Sequence, residues 1–127
     1  MKSDRKLLCV KVRERHPLKG DTPEAAILHV LCDRENRPLS NVMILGVGGE
    51  LQDSGRAPLV IFKDGRGDYG SFNTGAGRFF HTNLRDRVMR RGELFSVDYR
   101  DEDRPAHEEA MTFEITEVVP LISGAAV

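Results

Sequence analysis

The stretch Pro58–Phe80, PLVIFKDGRGDYGSFNTGAGRFF, decides how this chain must be read. It carries five of the eight aromatic residues, Phe62, Tyr69, Phe72, Phe79 and Phe80, and five of the twelve glycines. Aromatic side chains bury more area than any others, so a core is expected to gather here. Glycines set between them fit strand reversals through turns that need positive φ. The pattern predicts three short strands joined by turns around Asp64–Asp68 and Thr74–Gly77. The rest of the chain must pack on this meander.

The flanking runs are also strand-like. Lys6–Arg15 alternates Leu8, Val10 and Val12 with Lys11 and Arg13, the pattern of a half-buried strand. Ala25–Cys32 is apolar at nearly every position. Thr22-Pro23 before it would suit a helix start. The run is short, however, and Ile27 and Val30 are β-branched, so it is read as a strand in a hairpin with Leu39–Val47. Toward the C-terminus, Leu94–Arg100 sends Phe95, Val97 and Tyr99 one way and Ser96, Asp98 and Arg100 the other. Met111–Thr116 repeats the alternation, with Met111, Phe113 and Ile115 on one side. One wet face and one buried face is the signature of antiparallel sheet.

Between Phe80 and Leu94 the pattern changes. Thr82 or Asn83 as a cap, Leu84 and Val88 four apart, and Gly92 as a stop predict one short helix over 83–91. The sum is an all-β, mainly antiparallel chain of about eight short strands. It is read as a β-sandwich or barrel forming a single domain over 1–127, with loosely held ends near 1–5 and 121–127.

Composition narrows the function classes. The 127 residues carry a net charge of −1, which argues against a general affinity for nucleic acid or anionic membranes. No apolar run approaches the roughly 20 residues of a transmembrane helix. The opening MKSDRK leads straight into a strand with no leader pattern, so a cytoplasmic location is expected. Cys9 and Cys32 are then reduced and act as small hydrophobes, although a bridge between adjacent strands stays open.

The near-neutral total hides separate blocks. Residues 1–20 hold seven Lys/Arg against two acids, and 78–91 hold five Arg against one acid. Residues 93–117 hold nine acids against two Arg. A fold could cancel these blocks internally or display them on separate faces for assembly.

Catalytic and cofactor motifs are not found. GVGGE at Gly46–Glu50 departs from a dinucleotide fingerprint at Leu51 and is followed by a loop. Gly70-Ser71-Phe72 lacks a nucleophile elbow. Arg66-Gly67-Asp68 is read as an ordinary turn tripeptide. His16, His29, His81 and His107 have no metal-ligand spacing, so no metal and no cofactor are expected. Asp98, Asp101, Glu102 and Asp103 form an acidic set that suits a solvated turn or, as an alternative, Ca²⁺. The most specific surface feature is Arg78, His81, Arg85, Arg87, Arg90 and Arg91, since guanidinium forks recognise carboxylates or phosphates.

The expected function is non-catalytic protein–protein contact, with self-association into a homo-oligomer. The Arg-rich 78–91 segment would meet the acidic 98–109 loop of a neighbour. A module binding a small anionic ligand against the Gly-rich turns is the alternative.

Overall fold

The computed structural model describes residues 5–16, 18, 20, 22–48, 57–69, 78–101 and 111–123. Eight antiparallel strands follow one another in chain order: β1 (Lys6–Glu14), β2 (Glu24–Cys32), β3 (Ile44–Gly48), β4 (Ala57–Ile61), β5 (Arg66–Tyr69), β6 (Arg78–Thr82), β7 (Leu94–Asp101) and β8 (Met111–Ser123). Each pairs with the next, and β8 returns to β1, so the sheet closes into a barrel. Of the two architectures left open by the sequence, the barrel is therefore the one formed.

Alternation sets what lies inside. Leu8, Val10 and Val12 of β1 and Ala26, Leu28, Val30 and Cys32 of β2 point into the barrel. They meet Leu59 and Ile61 of β4, Phe80 of β6, Phe95 and Val97 of β7, and Phe113 and Ile115 of β8. Phe95 and Phe113 are opposite partners, and their rings stack with centroids 5.8 Å apart. A cavity of about 40 Å³ remains, lined by Leu28, Leu59, Ile61, Phe80, Phe95 and Phe113 among others. Small-molecule sites run to roughly 300–1,000 Å³, so this space is a packing remainder and not a ligand chamber.

The three strands of the Pro58–Phe80 meander are present, with the first turn shifted. Its first reversal is Phe62–Gly65, where the Gly65 amide donates to Phe62 O (3.0 Å) and Gly65 takes φ +88°. The Phe62 amide then closes the loop on Arg66 O (2.7 Å), and the Asp64 carboxylate accepts from the Arg66 amide (3.0 Å). A three-residue loop ending in a left-handed glycine is a common hairpin solution. The second expected turn, Thr74–Gly77, lies outside the described residues.

Three expectations need correction. Leu39–Met43 is a turn, so β3 begins only at Ile44. The C-terminal run does not end near 116: β8 continues to Ser123 and pairs along β1 as far as Lys6, so 121–123 are strand, while 124–127 and 1–4 of the expected loose ends lie outside the described residues. The helix over 83–91 contracts to a single 3-10 turn, Leu84–Asp86, after which Arg87 is already extended (φ −109°, ψ 157°).

The contraction has a packing cause. Leu84 and Met89 are both fully buried. Five residues apart on an α-helix, they would point about 140° away from each other. A short turn followed by extended chain lets both reach the barrel end. Asn36 anchors this segment from the β2–β3 connection: its carbonyl accepts from the Met89 amide (2.7 Å), and its side-chain amide donates to Met89 O (3.1 Å).

Candidate interaction surface

The charge blocks meet within the chain. Basic β1 lies beside acidic β8, and Glu114 Oε1 takes both Arg13 (3.2 Å) and Arg15 (3.3 Å). Lys11 reaches Glu117 at 3.3 Å and Glu24 at 4.0 Å. On the other side of the barrel, Arg78 is the register partner of Asp101, and His81 of Asp98. Two members of the predicted basic set are thus placed opposite two members of the predicted acidic set, on adjacent strands of one molecule.

The remaining basic residues do not form one common site. Arg85 donates to Val42 O (2.8 Å) and Leu39 O (2.6 Å), fastening the turn before β3, and its partial burial lowers its pKa. Arg87 is half-buried, its amide closing the 3-10 turn on Leu84 O. Arg90 pairs with Glu93 at 2.7 Å, and Arg91 is exposed in the following turn. Glu102 and Asp103 lie outside the described residues. Among those described, no three His, Cys, Asp or Glu side chains are grouped to hold a metal ion.

A different surface emerges on the outside of β1–β4. The register sets Val119 of β8 beside Cys9 of β1, Cys9 beside His29 of β2, His29 beside Leu45 of β3, and Leu45 beside Val60 of β4. The next row runs Lys11, Ile27, Val47, Pro58. Leu7 and Leu31 are paired on the other side of the first row. Leu45 is 56% exposed, Met43 46% and Val119 40%. The outward positions of β7 and the first half of β8 include Ser96, Asp98, Thr112, Glu114 and Thr116, with Leu94 as an exposed apolar residue among them. The larger share of the exposed apolar side chains thus lies on the β1–β4 side, with Lys11 and its partners Glu24 and Glu117 at its margin.

β3 shows why the apolar side is outward. Its inward positions after Ile44 are Gly46 and Gly48. A Cβ on Gly46 would collide with the backbone oxygen of Ile27, and one on Gly48 would come within 2.8 Å of Leu59 Cδ2. Beyond Ile44 the interior is full at β3, and the strand's other large residues, Leu45 and Val47, are left facing solvent. An exposed contiguous apolar patch is the usual mark of an interaction site.

At the centre of that patch, Cys9 and His29 are directly opposed. Cys9 is half-buried and a free thiol, and His29 is exposed. Cys32 is also free but points into the barrel, so the two thiols occupy opposite faces of the sheet. Burial pushes the Cys32 thiol up to about 12, with Asp33 adding to the effect. Sequence reading treated each histidine by its neighbours along the chain and so passed over the Cys9–His29 pair. By its apolar neighbours along the chain His29 reads as a hydrogen-bonded core residue and Cys9 as a buried small hydrophobe; the structure instead turns both outward, and the register sets them side by side.

No family model matches the sequence, and no curated protein or solved structure matches it either.

Proposed function

We propose that this chain is a non-catalytic barrel module that works by protein–protein contact, associating with copies of itself through the outer face of β1–β4. The observation that carries this reading is the apolar row Val119, Cys9, His29, Leu45 and Val60, flanked by Ile27 and Val47. Within the Arg-rich segment, Arg90 pairs with Glu93 and Arg85 with backbone carbonyls, so the apolar face and not this segment is taken as the contact. Edge pairing is set aside as well, because a closed barrel leaves no edge strand to pair.

Five strands at about 4.8 Å spacing and three rows about 6.8 Å apart give a patch of roughly 20 Å by 15 Å. Stable interfaces bury about 800 Å² per partner, so contact through this patch is weak and reversible. Light scattering of the purified chain over a concentration series tests the reading. The mass should rise with concentration, should not fall at high salt, and should return to that of one chain in Leu45→Lys. A single-chain mass at every concentration, or a multimer unaffected by Leu45→Lys, overturns it.

A further inference from the structure

We infer that the β1–β4 face carries half of a tetrahedral zinc site, completed by the same two residues of a second copy. This rests on the self-association reading. The donors are Cys9 and His29, register partners on β1 and β2 that both face outward. Directly opposed residues of an antiparallel pair have Cβ atoms about 4.5–5.5 Å apart. A thiolate at about 2.3 Å and an imidazole nitrogen at about 2.0 Å can then share one metal ion.

Two donors from one chain do not fill the four positions zinc prefers, and no third His, Cys, Asp or Glu joins them among the described residues. An isologous contact supplies what is missing. Around a two-fold axis, a residue pair lying at the axis is duplicated, so one Cys–His pair becomes Cys₂His₂. That donor set is a standard closed structural zinc sphere.

The position of the pair favours this use over a chance neighbourhood. Cys9 and His29 sit in the middle of the apolar row, with Leu7, Leu31, Ile27, Leu45 and Val119 around them and Lys11, held by Glu24 and Glu117, as the charged neighbour. Packing such a face against a copy would desolvate the imidazole and the thiol, a cost that metal ligation removes. The patch is also too small for a stable dimer by area, and a shared metal would supply the missing affinity. Each thiol releases its proton to solvent as zinc binds, and the imidazole binds as the neutral ring.

The test uses the full chain, stripped of metal and kept under a non-thiol reductant, with Zn²⁺ and Co²⁺ as probes. Addition of Zn²⁺ should shift the mass from one chain toward two at half an equivalent of metal, and chelator should reverse it. Co²⁺ should give a thiolate charge-transfer band and the visible absorption of a tetrahedral site. Cys9→Ser and His29→Gln lie on the outer face and should keep the circular dichroism of the parent while losing both responses. A concentration-dependent dimer indifferent to zinc and cobalt overturns the metal site and leaves self-association standing. A single-chain mass at every metal concentration overturns both readings. One metal per chain without a change of mass, or a dimer that forms only without reductant, overturns the shared site.

Discussion

Gly67 and Phe80 are opposite partners on β5 and β6, and the Phe80 ring lies where a side chain on residue 67 would have to stand. A Cβ at that position would overlap ring atoms Cζ, Cε1 and Cε2. The aromatic ring thus fills the inner face of both strands at once.

Gly67→Ala forces either the ring or β5 to move, and overpacking of this kind costs about 1–3 kcal/mol. Phe80→Ala opens a cavity and should cost about 3–5 kcal/mol. In the double variant, the alanine at 67 has room, so its penalty should vanish. Chemical denaturation of the four proteins measures the coupling, and additive losses would contradict the geometry.

Asn36 stands at φ +63° and donates its side-chain amide to Met89 O. Asn36→Gly keeps the conformation and loses the bond, for about 1 kcal/mol. Asn36→Ala loses the bond and adds about 1–2 kcal/mol of left-handed strain. The alanine variant should therefore unfold at lower denaturant than the glycine variant. The reverse order would count against a structural role for this turn.

Arg85 bonds two carbonyls, of Leu39 and Val42, with two guanidinium nitrogens. Lysine carries one nitrogen and cannot reproduce the fork. Arg85→Lys and Arg85→Ala should each lose about 1.5–3 kcal/mol, the range for hydrogen bonds to charged groups. Hydrogen exchange should quicken most in 39–43. Full stability in Arg85→Lys would show that charge, not geometry, is what this position supplies.

Cys32 is fully buried and its thiol is raised to about 12 from an ordinary value of 9.0. The folded state thus holds the proton more tightly than the unfolded chain. The contribution to stability is complete below pH 9 and falls as pH rises from there toward 12. Denaturation midpoints of the parent should drop more steeply across that window than those of Cys32→Ala. In the native state a thiol reagent should modify Cys9, which is partly exposed, well before Cys32.

The strands were legible because alternation is a local property. Leu8, Val10 and Val12, or Phe95 and Val97, declare an inner face in any sheet that has one. The 83–91 segment misled for a related reason. Leu84, Val88 and Gly92 carry helix-like spacing, but the barrel end needs Leu84 and Met89 together, and tertiary packing overrode the local pattern. The run from Leu121 read as a loose tail because nothing nearby in the sequence shows that β1 offers it a partner as far as Lys6.

The candidate surface was less legible still. The arginines and acids stood out as blocks, and the register turned them into neighbours: Arg13 and Glu114 are 101 positions apart and 3.2 Å from each other. Cys9 and His29 gave no signal because they are 20 positions apart and share no motif.

The sequence by itself determined that the chain is antiparallel β and which face of most strands is apolar, because side-chain direction repeats every two residues along a strand. Tertiary structure decided that the sheet closes on itself, that basic β1 pairs with acidic β8, and that an exposed apolar row crosses β8 and β1–β4. Those outcomes depend on which residue of one strand lies opposite which residue of another. That register is set by the packing of the whole interior, down to the glycines of β3, and not by any stretch read on its own.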